Sequence, residues 1–109
     1  GAARGVAVAL KARTGTMRIR IANRSDARAR DIARLVDGEA TAWTTREAAL
    51  GDVDLLVNTT SLGMTGEPPL DIDLGGLPPG AAVADIVYSP LETPLLMAAR
   101  AAGFTAIDG

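Results

Sequence analysis

The chain contains no cysteine and no histidine. That removes disulfides, thiolate catalysis, zinc–thiolate sites and imidazole acid–base chemistry from what these residues can do alone. Aromatic residues make up only 3% of the sequence, so the core must be assembled from Ala, Val, Leu and Ile. No apolar run approaches the roughly 20 residues that a membrane-crossing helix needs, and no membrane partner is expected. The Ala-rich start lacks a charged segment followed by an apolar one, so it does not read as a signal peptide, and a cytoplasmic location is expected. A net charge of −2 argues against a nucleic-acid partner held by bulk attraction. Against these absences stand 48% apolar residues in 109 positions, enough for the core of one ordinary domain, and a concentration of basic residues from Arg13 to Arg34.

The order of patterns is helix and strand in alternation. Ala2 to Thr14 reads as a helix with Val6, Ala9, Leu10 and Arg13 at helical spacing and Gly15 past its end. Met17 to Ala22 alternates as a short strand. Ser25 is placed to cap a second helix, with Ala29, Ile32, Ala33 and Val36 on its inner face and Gly38 behind it. Glu39 to Trp43 is a weak strand, and Thr44-Thr45-Arg46-Glu47 has the spacing of a capping box for a short helix ending at Leu50. Val53 to Val57 is a nearly continuous apolar strand, of the kind covered on both faces. Ser61 to Gly80 holds most of the Pro and Gly and reads as loop; Ala82 to Tyr88 is another buried strand. Thr93 and Pro94 open a helix to Arg100 with Gly103 as its stop, and Phe104 to Ile107 is a last strand. The expected class is α/β: a doubly wound, mainly parallel sheet with helices on both faces.

Three places could carry chemistry. Gly1, Ala2, Ala3, Arg4 and Gly5 open a helix with small residues, which lets phosphate oxygens reach free backbone N–H groups; small residues also open ordinary packed helices. Asn23-Arg24-Ser25 leaves the strand Met17–Ala22, with Arg28 one turn on. In a dinucleotide-binding sheet this strand end meets the adenosine ribose, where an Asp or Glu would accept from a 2′-hydroxyl. Here an arginine pair suits a 2′-phosphate instead, unless the turn is simply a solvated basic one with a Ser cap. Asn58, Thr59, Thr60, Ser61 and Met64 leave one strand end as a polar loop, and Ile86, Tyr88 and Pro90 leave another. Such ends line the ligand crevice of open α/β sheets, and the carboxylates of Asp85 and Asp108 are expected to flank it. The plainer reading is a loop of Asx and ST turns with a packed Tyr88.

Gly-Ala-Ala-Arg at 1–4, Asn-Arg-Ser at 23–25, Val-Asn-Thr-Thr-Ser-Leu-Gly-Met at 57–64, Asp-Ile-Val-Tyr-Ser-Pro at 85–90 and Thr-Pro-Leu-Leu at 93–96 together resemble the shikimate dehydrogenases, in order and spacing along the whole chain. The resemblance implies a Rossmann-like NADP-binding domain spanning 1–109. It further implies NADPH-dependent, reversible reduction of 3-dehydroshikimate to shikimate, on the route to chorismate and the aromatic amino acids. Residue by residue it implies that Gly1, Ala2 and Ala3 lie near the pyrophosphate. Asn23, Arg24, Ser25 and Arg28 would hold the 2′-phosphate, and Asn58, Thr59 and Thr60 would run along the cofactor. Ile86 would lie under the nicotinamide, Gly109 would approach its carboxamide, and Tyr88 would face the substrate. No catalytic residue and no metal ligand carries over: Lys11, the one lysine, falls mid-helix and matches no catalytic position.

The same resemblance implies a substrate domain and a first central strand upstream, so this piece alone is expected to be inactive. Met17–Ala22 and Val53–Val57 are then not expected to pair with each other. A quinate/shikimate dehydrogenase, another NADP-binding Rossmann oxidoreductase such as a glutamyl-tRNA reductase, and a non-enzymatic nucleotide sensor remain open as alternatives, and so does a homodimer.

Overall fold

The computed structural model describes residues 2–14 and 17–109, so the expectations placed on Gly1 and Gly15 lie outside the described residues. The elements run α1 (Ala2–Thr14), β1 (Arg20–Asn23), α2 (Asp26–Leu35), β2 (Glu39–Ala42), a 3₁₀ segment (Trp43–Ala49), β3 (Leu55–Asn58), a 3₁₀ turn (Leu74–Gly76), β4 (Ala82–Asp85), α3 (Pro94–Ala101) and β5 (Thr105–Ile107). Helices alternate with strands, and every strand pair is parallel, as the α/β reading requires. The chain forms two compact units, Gly1–Arg46 and Glu47–Gly109. The cause is the sheet pattern: β1 pairs with β2 and β3–β4–β5 form a second sheet, with no pairing between β1 and β3 among the described residues. Each sheet therefore gathers its own core.

In the first unit, β1 and β2 run in register from Arg20 opposite Glu39 to Asn23 opposite Ala42. Ser25 caps α2 as its position predicted, its hydroxyl accepting from the Arg28 N–H at 3.2 Å. Ala29, Ile32, Ala33 and Val36 all turn inward to meet Ile19 and Ile21. The end of α2 differs from expectation. Asp37 takes the left-handed conformation (φ 52°), which Asp tolerates better than most side chains. Gly38 is required for space instead, because a Cβ there would sit 2.5 Å from the Ile19 carbonyl oxygen. That close approach lets the Glu39 N–H bond to Ile19 O at 2.9 Å, which starts the β1–β2 ladder.

In α1 the inner stripe is Ala3, Ala7 and Leu10; of the four residues noted at helical spacing, Ala9 and Arg13 are exposed. Apolar residues from Val6 to Leu10 occupy every face of this helix, so spacing alone carries little contrast; the small Ala3 and Ala7 settle the choice by allowing close packing. The expected capping box at Thr44 does not form. Its Glu47 carboxylate accepts from the Asp73 backbone N–H, and Trp43–Ala49 becomes a kinked 3₁₀ segment. Within it Arg46 stacks on Trp43, 4.4 Å from the ring centre.

In the second unit Leu50, Leu74, Leu77, Ala81, Val83, Leu95, Leu96 and Ala99 make the core. Its helix α3 begins as the sequence indicates, with Pro94 in the first turn and the Thr93 hydroxyl accepting from the Leu96 N–H. It stops at Gly103, after which the Phe104 N–H closes on Ala99 O at 2.9 Å. Two strands depart from expectation. Among the described residues β3 pairs with β4 alone, and Leu55, Leu56 and Val57 are half-buried. β4 ends at Asp85, three residues before Tyr88.

Leu96 is fully buried and Met97, its neighbour, is 52% exposed. Leu96→Ala should cost about 2–5 kcal/mol in urea unfolding of the intact protein, while Met97→Ala should cost about 0.5 kcal/mol or less. Equal losses at the two positions would contradict the packing described here.

Candidate functional site

The first half of the candidate site is the turn from β1 into α2. The Asn23 side-chain oxygen accepts from the Ser25 N–H at 2.9 Å, folding the chain into an Asx turn. This commits the amide oxygen and leaves the amide NH₂ without a protein partner among the described residues. The Ser25 hydroxyl oxygen is committed to the helix cap. Arg24 and Arg28 are exposed, and neither guanidinium is engaged by a protein group among the described residues. One carboxylate, Asp26, shares the first turn of α2. The wider field is strongly positive: residues 1–46 hold ten basic and four acidic side chains, residues 47–109 one basic and nine acidic. Two free guanidinium groups, a free amide donor and the N-terminus of α2 can hold a doubly charged phosphate. The start of α1 shows Ala2 exposed and Ala3 half-buried, with no acidic residue in the first turn to compete for an anion.

The second half lies at the ends of β3 and β4, and it corrects one expectation. Asn58 is 3% exposed, and its amide is spent inside the protein. Its nitrogen donates to Leu62 O at 3.0 Å and to an Asp85 carboxylate oxygen at 3.2 Å. Its oxygen accepts from the Thr60 N–H at 3.0 Å and from the Thr60 hydroxyl at 2.7 Å. Asn58 therefore shapes the loop and has no polar atom left for a cofactor. The Thr60 hydroxyl in turn accepts from the Leu62 N–H, which leaves the hydroxyls of Thr59 and Ser61 uncommitted among the described residues.

Asp85 is likewise not at the rim. It is 2% exposed and accepts three hydrogen bonds, from Asn58, from the Val87 N–H at 3.0 Å and from the Thr93 hydroxyl at 2.8 Å. A buried carboxylate persists only when its oxygens are met by donors, and these are. Beyond it the chain opens to solvent: Ile86 is half-buried, Tyr88 is 76% exposed, and the Ser89–Pro90 peptide is cis. The loop after β3 is tied to this one by the Thr65 N–H, which donates to Ser89 O at 2.7 Å. Met64 and Leu91 are exposed in the same two loops. Gly109 closes the group. A Cβ there would lie 2.6 Å from Ile86 O and 2.9 Å from Val87 O, so only glycine permits this approach to the end of β4. Asp108 beside it is exposed. Thr59, Ile86, Tyr88 and Gly109 are thus all carried on the strand ends of one sheet, while Asn58 and Asp85 stand behind them. Lys11 lies in the last turn of α1, half-buried, rather than in the middle of the helix.

One further concavity, of about 360 Å³, is lined by Arg30, Ala33, Arg34, Asp37, Gly38 and Ala40. It is shallow and sits at the end of α2 and the start of β2, at the other end of the β1–β2 pair from the Asn23 turn. Arg34 there is paired with Asp31 at 2.9 Å.

No protein-family model matches the chain. It aligns over its whole length with shikimate dehydrogenase (NADP(+)) of Methylobacterium radiotolerans at 58% identity, covering 39% of that protein. With the enzyme of the same name from Acidiphilium cryptum it shares 53% identity, again over the whole chain and 39% of the relative. The chain thus spans about two fifths of the length of the curated relatives it matches. Among solved structures, quinate dehydrogenase from Corynebacterium glutamicum in complex with NAD superposes with a TM-score of 0.86 and 31% identity, over 97% of this chain and 40% of that one. Shikimate 5-dehydrogenase from Thermus thermophilus, in complex with NADP(H) and shikimate, gives 0.76 and 27% over 94% of this chain and 38% of that one. The fold is Rossmann-like, as the motifs implied.

Proposed function

We propose, on the premise that this chain is a homologue of the shikimate dehydrogenases along its whole length, that it forms the NADP-binding part of such an enzyme. The reaction is then the reversible reduction of 3-dehydroshikimate to shikimate, with NADP(H) supplying the hydride. The observation that carries this reading is the pair of unengaged guanidinium groups, Arg24 and Arg28, beside an Asn rather than a carboxylate at the end of β1. The same fold accompanies NAD in one solved neighbour and NADP(H) in another, so the choice must rest on side chains at such a turn.

In this reading Arg24 and Arg28 clamp the adenosine 2′-phosphate and the Asn23 amide donates to it. Ala2 and Ala3 leave the first turn of α1 open to the pyrophosphate. Thr59 and Thr60 line the path of the cofactor, Thr60 chiefly by shaping the loop, and Ile86 packs under the nicotinamide. Gly109 leaves room at the carboxamide, and Tyr88 contacts the substrate. The proton for the substrate oxygen must come from outside these residues, since the chain has no His or Cys and its one Lys lies on α1. A substrate-bearing domain elsewhere in the enzyme is the source this reading assigns, and the cytoplasm is its location.

Arg24→Ala should weaken NADPH binding to the full-length protein at least tenfold, since a charge-assisted contact contributes roughly 1.5–3 kcal/mol. NADH binding should stay within about twofold. Isothermal titration with both cofactors checks this, and equal weakening of the two would make Arg24 a structural residue. Tyr88→Phe should raise the KM for 3-dehydroshikimate and leave the KM for NADPH in place; steady-state kinetics unchanged in both would show that the ring only packs.

A further inference from the structure

We propose that Asp85 is the positioning residue of the strand-end site, a buried carboxylate that fixes both ligand-facing loops from behind without touching a ligand. Its placement as a ligand-site device rests on the functional reading above; its bonding does not. One carboxylate oxygen accepts from the Asn58 amide at 3.2 Å and the Val87 N–H at 3.0 Å, and the other accepts from the Thr93 hydroxyl at 2.8 Å. Each donor belongs to a different segment. Asn58 ends β3 and, through its remaining bonds to Thr60 and Leu62, sets the course of residues 58–62. Val87 lies in the segment that leaves β4, between half-buried Ile86 and exposed Tyr88. Thr93 caps α3 with its hydroxyl oxygen, which accepts from the Leu96 N–H at 3.3 Å.

The chemistry of the group suits this post. All three partners donate, and an ionised carboxylate only accepts, so no polar atom of Asp85 or Asn58 is left unmet, in keeping with the absence of buried unsatisfied side-chain atoms among the described residues. An apolar residue would strand the Asn58 amide, the Val87 N–H and the Thr93 hydroxyl at once. Asparagine can keep the shared oxygen for Asn58 and Val87 and offer its NH₂ to the Thr93 oxygen, so it retains the loop side of the arrangement. The core beneath does not need the charge: Val83, Leu95, Leu96 and Ala99 pack without it.

The test compares Asp85→Ala and Asp85→Asn in the full-length protein, by steady-state kinetics with NADPH and 3-dehydroshikimate and by amide hydrogen exchange. For Asp85→Ala the KM for 3-dehydroshikimate should rise at least tenfold, with kcat changing less. Exchange should quicken in residues 58–64 and 86–90 while α2 is unaffected. Asp85→Asn should recover KM to within about threefold of the unsubstituted enzyme. Kinetics and loop exchange unchanged in a folded Asp85→Ala protein would overturn the proposal, and so would an Asp85→Asn protein as impaired as the Ala variant. If Asp85→Ala yields no folded protein, Asn58→Ala takes its place, since it removes the loop side and leaves the Thr93 bond; raised KM with faster loop exchange supports the assignment and unchanged values overturn it. Failure of the unsubstituted enzyme to turn over 3-dehydroshikimate would overturn the functional reading instead, and the exchange comparison would still decide the role of Asp85.

Discussion

The interaction on which the second unit's exposed face depends is the burial of one negative charge. Asp85 is 2% exposed at the end of β4, a position reached only because three donors converge there. Desolvating a carboxylate is costly, and charge-assisted hydrogen bonds of roughly 1.5–3 kcal/mol each offset that cost when all are made. The arrangement is therefore close to all-or-none. It couples the β3 loop, 27 residues earlier in the chain, to the neighbouring β4 exit and cap of α3 in one support. The residues that face outward from that support, Thr59, Ile86 and Tyr88, need no strong bonds of their own to be held in place.

The first unit solves a different problem. The turn from β1 into α2 is built from local contacts only: Asn23 to Ser25, and Ser25 to Arg28. These bonds consume the polar atoms that shape the turn and leave the guanidinium groups of Arg24 and Arg28 projecting. The surrounding excess of basic over acidic residues in 1–46 adds a long-range attraction for a polyanion, screened within about 10 Å at moderate salt. The acidic excess in 47–109 disfavours a polyanion near the strand-end loops.

Local chemistry was readable from the sequence and long-range chemistry was not. Ser25, Thr93 and Pro94 announced helix starts because a cap is a property of a few adjacent residues. The α2 stripe was readable because Arg and Asp contrast with Ala and Ile, and the α1 stripe was not, because its residues are apolar on every side. The strand β1 begins at Arg20, not Met17, since alternation does not say where a partner strand arrives. The capping box at Thr44 was lost to a contact with Asp73, 26 residues away from Glu47. Asn58 and Asp85 were the largest misreading. Each looked like a rim residue because polar residues at strand ends usually are, and only their mutual bond across 27 residues turns both inward. The one hint was Asn58 two residues before Thr60, the spacing of an Asx turn that occupies the amide.

We propose that the turn at the end of β1 reads a phosphate. The most direct measurement is a nuclear magnetic resonance titration of the full-length protein labelled with ¹⁵N-arginine, following each side-chain Nε–H signal with NADP⁺ and with NAD⁺. Arg24 and Arg28 should shift with NADP⁺ and stay in place with NAD⁺, while Arg30 in the middle of α2 and Arg34 near its end respond to neither. Shifts of Arg24 and Arg28 that are equal for the two nucleotides, or confined to Arg30 and Arg34, would contradict it.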